Sequence, residues 1–266
     1  MPLNFSKRPS LVCYVTCGDP SIETTRDIVL AAVKAGADVI ELGVPFSDPV
    51  ADGPVIQRAS ERALLKGTTL KHVLGLAREV RHQSAVGLIV FSYFNPVLQY
   101  GLERFCREAA DSGVDGALIT DLPMEESTEY LRLMSRYNLA TVFLAAPTST
   151  DERLRQVAEA STGFVYAVSR TGVTGARAEI SQDARTLVER IRRFTRLPVA
   201  VGFGISTAEQ VAEVGSYAEG AVVGSAIVEA VERAAPEGKA PQAVAELVGR
   251  LLRARTEASM AGHARG

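Results

Sequence analysis

The chain has 266 residues, 47% hydrophobic and 23% charged, which is close to the soluble globular average and excludes disordered and fibrous classes. Its 29 Lys and Arg against 31 Asp and Glu give a formal net charge of −2, without the basic excess that nucleic acid or an anionic membrane requires. No apolar run approaches the ~18 residues of a membrane span, and the start lacks the apolar stretch of a signal peptide. Three cysteines are an odd number and form no disulfide framework. We therefore expect a cytoplasmic protein with no nucleic-acid or membrane partner.

Short runs rich in Val, Ile and Leu recur along the chain, and each precedes a stretch with the period of an amphipathic helix. The runs show little alternation between apolar and polar residues, as expected for parallel strands buried on both faces. The predicted strands are Leu11–Val15, Val39–Gly43, Val86–Ser92, Ala117–Thr120, Thr141–Leu144, Phe164–Val168, Val199–Gly202 and Ala221–Gly224. The predicted helices include Ser21–Ala35, Leu70–Gln83, Leu102–Ser112, Glu125–Tyr137, Glu152–Ala160, Asp183–Phe194 and Ala208–Val214.

Eight such strand–helix units predict an α/β fold, specifically a single (β/α)₈ TIM barrel. An open doubly wound sheet is the alternative, because closure of the strands cannot be read from a sequence. Val44–Lys66 exceeds the simple unit and predicts an extra loop and helix after the second strand. We expect one barrel domain over residues 1–255 and a frayed tail over Thr256–Gly266.

Two carboxylates follow the second predicted strand, at the end where barrels carry their reacting groups. Glu41 falls inside the apolar run Val39–Gly43, so it should point into the barrel mouth, where desolvation raises a carboxyl pKa and suits it to proton transfer. Asp52 lies 11 residues further on, in a proline-rich loop. Two carboxylates in different environments can divide the roles of acid and base. For Asp52, capping of the helix that follows is an equally good interpretation.

Glycines end the last three predicted strands, where TIM barrels commonly bind phosphate. The loops are Ser169-Arg-Thr-Gly172-Val-Thr-Gly175, Gly202-Phe-Gly204 and Gly224-Ser225 ahead of a helix. Glycine lets backbone N–H groups approach an anion, and a helix N-terminus adds a favourable dipole. Three such loops together predict a phosphate site, whereas any one of them indicates only a turn.

Lysine and histidine are missing from the predicted mouth of the barrel, which excludes two classes of catalytic mechanism. None of the lysines falls in a predicted strand or at its carboxyl end, so a Schiff-base nucleophile is not predicted. The three histidines lie in helices or in the tail, so no metal site is predicted. These patterns favour carboxylate acid–base chemistry, without a cofactor, on a phosphorylated compound.

The segment Glu41-Leu-Gly-Val-Pro-Phe-Ser-Asp48-Pro-Val-Ala-Asp52-Gly-Pro-Val-Ile-Gln57 resembles the signature of the tryptophan synthase α subunit family. The resemblance continues in chain order through Thr16-Cys-Gly-Asp-Pro20, Tyr93-Phe-Asn-Pro-Val97, Asp121-Leu-Pro123, Ser169-Arg-Thr-Gly-Val-Thr-Gly175 and Gly202-Phe-Gly-Ile205. It implies a lyase of tryptophan biosynthesis that cleaves indole-3-glycerol phosphate to indole and glyceraldehyde 3-phosphate. A protonated indole ring would accept the electrons of this retro-aldol cleavage.

The same resemblance implies roles for individual residues. Glu41 matches the general acid–base that protonates the indole ring, and Asp52 matches the carboxylate that holds the indole N–H. Thr174 matches a residue of a closing loop that meets the strand-2 aspartate. Gly175, Gly204, Gly224 and Ser225 match the phosphate cradle, Tyr166 a tyrosine beside the reacting centre and Phe203 an aromatic on the indole, with Tyr14, Ile89 and Asp121 as further substrate contacts.

The resemblance also implies a partner, the tryptophan synthase β subunit, in an α2β2 assembly. The loop around Pro45–Asp48 would dock on that subunit, and indole would pass through a tunnel to pyridoxal phosphate held there. A free-standing lyase that releases indole is an open alternative within the enzyme class. A catalytically idle barrel that only activates a β subunit is a second alternative, which intact Glu41 and Asp52 disfavour. A phosphosugar isomerase is a third, which would need no indole-sized pocket.

Two departures from the family pattern concern the start of the chain. The family usually opens with a longer N-terminal helix, whereas only ten residues precede Leu11 here. Cys13 stands where a proline is common. The short start predicts a barrel floor that is less covered than usual.

Overall fold

Parallel strands form a closed barrel in the computed structural model, which describes residues 3–168, 177–202 and 204–253. The strands follow one another in chain order around the barrel, and β8 pairs with β1. This closure confirms the predicted TIM barrel and excludes the open sheet. The strands are β1 Ser10–Thr16, β2 Val39–Gly43, β3 Gly87–Ser92, β4 Gly116–Ile119, β5 Ala140–Ala145, β6 Val165–Val168, β7 Val199–Gly202 and β8 Gly220–Val223.

Helices return the chain between the strands, and polar side chains begin several of them. The hydroxyl oxygen of Ser21 accepts a hydrogen bond from the Thr24 N–H at the start of α1, which is the N-cap that a serine before an apolar-periodic stretch predicts. The helices are α1 Ile22–Ala35, α2 Pro54–Leu65, α3 Leu70–Arg81, α4 Phe94–Tyr100, α5 Leu102–Asp111, α6 Thr128–Arg136, α7 Asp151–Ala160, α8 Arg177–Ile191, α9 Ala208–Gly215, α10 Ser225–Ala234 and α11 Ala240–Leu251. None of the helices in the described ranges is both long and apolar enough to cross a membrane.

Several helices differ from their predictions. The predicted helix Glu125–Tyr137 is a short 3₁₀ turn, Met124–Glu126, followed by α6. The helix predicted from Asp183 begins at Arg177. The seven-residue α4 is not among the predicted helices, and its Pro96 lies in the first helical turn, where proline is tolerated. The extra helix predicted after the second strand is α2.

Side chains inside the barrel form a core separate from the one between strands and helices. Val12 of β1 pairs with Val39 of β2, and both point inward together with Ile89, Phe164 and others. In the next layer toward the carboxyl ends, Tyr14 pairs with Glu41. The register therefore places one carboxylate among inward-facing apolar side chains. Cys13, the residue that replaces a common proline, is buried in the outer core as a free thiol.

The N-terminal segment packs against the floor of the barrel, and whether this floor is less covered than in the family stays a prediction. The Phe5 ring lies 5.2 Å from the Phe164 ring, centroid to centroid. Leu3 packs against the same interior core. Gly87, Gly163 and Gly220 lie at this end, where a Cβ would meet the side chain of Leu3 or Phe5. Two apolar residues before β1 thus cover part of the floor.

Phe5→Ala is expected to lower the free energy of unfolding by roughly 2–3 kcal/mol, because it opens the floor next to Phe164. Urea unfolding followed by circular dichroism measures the change. Ser6→Ala, one position away on an exposed side chain, is the control and should leave the midpoint unchanged. Equal midpoints for Phe5→Ala and the natural chain would show that the segment does not stabilise the barrel.

Candidate active site

A cavity of about 310 Å³ opens at the carboxyl end of the barrel strands. It brings together seven of the predicted site residues: Tyr14, Glu41, Asp52, Tyr166, Gly204, Gly224 and Ser225. They come from β1, β2, β6, the loop after β2, the loop after β7 and the start of α10. The remaining lining residues are Ala51, Gly53, Pro54, Val55, Ile56, Phe91, Val222 and Glu229. The barrel topology thus collects polar groups that are far apart in the chain against a largely apolar wall.

Glu41 is the buried carboxylate of this cavity. Only 1% of the residue is exposed, and its Oε1 has no hydrogen-bond partner in the described part of the chain. Burial penalises the charged form and raises the pKa of Glu41 from 4.5 to about 8. Near neutral pH the carboxyl group is therefore mostly protonated and has a proton to donate.

Asp52 lies in the loop after β2 and is partly exposed. Burial raises its pKa from 3.8 to about 6, while a hydrogen bond from the Tyr93 hydroxyl lowers it. The same hydroxyl oxygen accepts a hydrogen bond from the Ala51 N–H at 2.9 Å, which fixes the backbone next to Asp52. Asp52 is therefore mostly ionised at neutral pH, in contrast to Glu41. It does not begin α2 as a cap, since the N-cap of that helix is Gly53.

Two tyrosines line the cavity close to the carboxylates. The Tyr14 ring packs edge-on against Phe91 at 5.1 Å between centroids. Burial raises the pKa of Tyr166 well above its usual value, and the charges of Glu41 and Asp52 add to the rise. A Cβ on Gly43 would collide with the Tyr14 hydroxyl, and a Cβ on Gly202 with that of Tyr166. Gly202, which we first grouped with the phosphate glycines, thus also makes room for Tyr166.

The part of the cavity wall formed by Gly204, Gly224 and Ser225 has the features of an anion site. Gly204 has a φ of +74°, which favours glycine, and Gly224 precedes the first residue of α10, Ser225. The N–H groups of Ile227 and Val228 donate to the Gly224 carbonyl at 2.9 and 3.1 Å. The N–H groups ahead of them lie before the intrahelical ladder, and the first turn of α10 carries no acidic side chain. This helix N-terminus can therefore hold a phosphate.

Two predicted site residues of the described part do not line the cavity, and three others cannot be placed relative to it. Ile89 is fully buried in the barrel interior, and it lies beside Glu41 in the strand register. Asp121 is exposed and accepts a hydrogen bond from the Phe94 N–H at 2.6 Å, so its observed role is at the start of α4. Thr174, Gly175 and Phe203 lie outside the described residues.

Sequence reasoning missed several residues that contribute to the site. Phe91 follows Ile89 by two positions in β3, so the strand period already placed both on the inner face. Val222 likewise precedes Gly224 by two. Glu229 follows Ser225 by four residues in the helix after the last strand, which puts the two on one face. The resemblance includes Tyr93 in the motif Tyr93–Val97 but gives it no role, because its contact with Asp52 joins two loops about 40 residues apart in the chain.

Metal-binding groups do not cluster in the described part of the chain. No set of three or more His, Cys, Asp and Glu side chains lies close enough there to hold an ion. Cys13 and Cys17, which could suggest half of a metal site, are buried free thiols. Burial raises the pKa of both thiols, as expected for packing residues.

Comparisons with known proteins point to one family. The family model described as "Tryptophan synthase alpha chain" matches residues 2–256. The tryptophan synthase alpha chain of Solibacter usitatus is 55% identical over 231 residues, covering 87% of this chain and 86% of the relative. That of Geobacter sulfurreducens is 48% identical over 87% of this chain and 88% of the relative.

Solved structures show the same likeness. A chain from the tryptophan synthase a2b2 complex of Pyrococcus furiosus superposes with a TM-score of 0.86 at 42% identity, over 92% of this chain and 98% of that chain. Tryptophan synthase subunit alpha from Legionella pneumophila also gives a TM-score of 0.86, at 35% identity over 94% of this chain and 93% of that chain.

Proposed function

Because the chain belongs to the tryptophan synthase alpha chain family, we propose that Glu41 and Asp52 divide the acid–base work of its reaction. The chain is a lyase of tryptophan biosynthesis that cleaves indole-3-glycerol phosphate to indole and glyceraldehyde 3-phosphate. One observation carries the division of roles. The two carboxyl groups line one cavity, but their pKa values of about 8 and about 6 differ, so near neutrality Glu41 holds a proton and Asp52 does not.

Glu41 acts first as the acid. Its carboxyl group donates a proton to C3 of the indole ring, and the ring becomes a cation with an iminium-type C=N bond. The Asp52 carboxylate accepts a hydrogen bond from the ring N–H and stabilises the positive charge that develops there. The Tyr93 hydroxyl and the Ala51 backbone position this carboxylate.

Glu41 then acts as the base. Its carboxylate removes the proton from the glycerol hydroxyl next to the ring, and that oxygen forms the aldehyde as the bond from its carbon to C3 breaks. The electron pair of the broken bond returns to the ring, which neutralises the cation and releases indole. Glu41 recovers one proton for the one it gave, so the cycle closes without a redox step.

This scheme needs no cofactor, because the protonated ring itself accepts the electrons. The phosphate would bind at Gly204, Gly224 and Ser225, and the indole would occupy the part of the same cavity lined by Phe91, Glu41 and Asp52. Tyr14 and Tyr166 would pack beside the reacting carbon. The roles of Thr174, Gly175 and Phe203 remain predictions from the resemblance.

We also propose docking on a tryptophan synthase β subunit, where pyridoxal phosphate would be bound. The supporting features are exposed apolar side chains in the loop after β2 and on α4, Val50 at 87% and Leu98 at 53%. The Phe46 ring packs at a tilt against the Tyr93 ring, with 5.1 Å between centroids. The loop around Pro45–Asp48 therefore contacts Tyr93, the residue that positions Asp52. Docking at this loop would therefore act on the catalytic carboxylate.

Release of indole by the purified chain is the direct test. Indole-3-glycerol phosphate is added, and the released indole is separated by chromatography from the substrate, which carries the same ring, and is then quantified. We expect indole and glyceraldehyde 3-phosphate in equal amounts, faster when a β subunit is added. Equal rates with and without a β subunit would favour a free-standing lyase. Absence of indole under both conditions would contradict the proposal.

The pH profile of kcat/KM is expected to be bell-shaped, with limbs near pH 6 and pH 8. Activity falls below the lower limb because Asp52 becomes protonated and no longer stabilises the ring cation. It falls above the upper limb because Glu41 loses the proton that it must donate. Initial rates at subsaturating substrate measure both limbs. A profile that is flat from about pH 5 to about pH 9 would contradict the assigned protonation states.

A further inference from the structure

The cavity wall contains a third acidic residue, Glu229, that the proposed mechanism does not use. It lies on α10 one turn after Ser225, the first residue of that helix, so the two share a face. Of the described residues that line the cavity, Glu41, Asp52 and Glu229 are acidic and none is Lys or Arg. A phosphate at this end would be held by backbone N–H groups and the helix dipole, with a carboxylate nearby.

We propose that Glu229 determines phosphate affinity by weakening the hold of the cavity on phosphate-bearing ligands, an inference that rests on the proposed phosphate site. The N-terminus of α10 attracts an anion, whereas the Glu229 carboxylate on the same face repels it. Binding a substrate more tightly in the ground state gives no rate advantage once the enzyme is saturated. It does slow the departure of a product that keeps the phosphate. Glu229 therefore favours release of glyceraldehyde 3-phosphate.

Neighbouring cations only partly offset this charge. Arg233 Nη2 lies 3.4 Å from Glu229 Oε2, and the side chains are 75% and 46% exposed, so water weakens this pair and also moderates the repulsion between Glu229 and a phosphate. Arg58 on α2 also feels the charge of Glu229, but its guanidinium makes a two-point ion pair with Glu232 at 3.0 and 3.1 Å. Neither arginine lines the cavity. Among the described residues, Glu229 is thus the one charged side chain of α10 that lines the cavity.

The test measures binding of indole-3-propanol phosphate and of its dephosphorylated form, indole-3-propanol, by calorimetry. Glu229→Gln should bind the phosphate compound about three- to tenfold more tightly than the natural chain, and Glu229→Lys more tightly still. Binding of the uncharged alcohol should not change in either variant. The gain should shrink at high salt, because ions screen the interaction. A gain in affinity cannot be mistaken for damage to the fold.

Glu246→Gln and Glu246→Lys are the matched controls. They make the same changes in net charge on an exposed residue of α11 that does not line the cavity, and affinity for both compounds should stay the same. Unchanged affinity in the Glu229 variants overturns the proposal. Weaker binding of the phosphate compound also overturns it, because the carboxylate would then accept a hydrogen bond from the ligand. If the natural chain binds both compounds equally, the phosphate site of the proposed function fails, and this inference fails with it.

Discussion

Glu41→Gln and Asp52→Asn are each expected to keep the barrel folded and to lower the rate of indole release by ~10²–10⁴-fold. Both replacements keep nearly the same shape, so packing around β2 and its loop should survive. Gln cannot give a proton to the indole ring and take one back, and Asn carries no charge to stabilise the ring cation. The rate of indole release from indole-3-glycerol phosphate, with circular dichroism as a check on folding, measures the loss.

The pH dependence of the activity that remains in each variant distinguishes the role of Glu41 from that of Asp52. In Asp52→Asn the acidic limb near pH 6 should disappear, because that limb is the titration of the missing carboxylate. Glu61→Gln is the matched control, an exposed carboxylate of α2 outside the cavity, and its turnover should equal that of the natural chain. Close to full turnover in either active-site variant would show that its role is wrongly assigned.

The barrel could be predicted because its signals are local and repeated. Strands such as Val39–Gly43 and Val199–Gly202 have the predicted bounds, since doubly buried strands read as continuous apolar runs between turn residues. Glu41 was identifiable for the same reason. A single carboxylate inside such a run must lie in the core or at the barrel mouth, and its burial confirms this placement.

Residues that act through distant contacts could not be predicted. Tyr93 reaches the loop of Asp52 from the end of β3, and Phe5 reaches Phe164 across the floor of the barrel. Gly202 has the same appearance in the sequence whether it approaches a phosphate or a tyrosine ring. Such pairings depend on the closed barrel, which brings together residues whose separation along the chain carries no period.

Glu41→Gln is also expected to raise the free energy of unfolding at alkaline pH. The fold raises the pKa of Glu41 from 4.5 to about 8, so the folded chain binds this proton more tightly than the unfolded chain. The stabilisation of the folded chain by this proton is fully present below pH 4.5. It is lost as the pH rises through about 8, where the buried carboxyl group must ionise. Gln, which is always neutral, avoids the loss. Above the folded-state pKa the variant should be more stable by about 3–5 kcal/mol.

Urea unfolding at about pH 5 and at about pH 9 measures this difference. Near the lower pH the natural Glu41 is protonated in the folded chain, and the two proteins should differ little. At the higher pH the midpoint of Glu41→Gln should exceed that of the natural chain, whereas Glu61→Gln should follow the natural chain throughout. A constant difference at both values would mean that ionisation of Glu41 does not strain the fold. The expected result instead ties catalysis to stability, because the burial that keeps a proton on Glu41 for the indole ring is the burial that destabilises the barrel when that proton leaves.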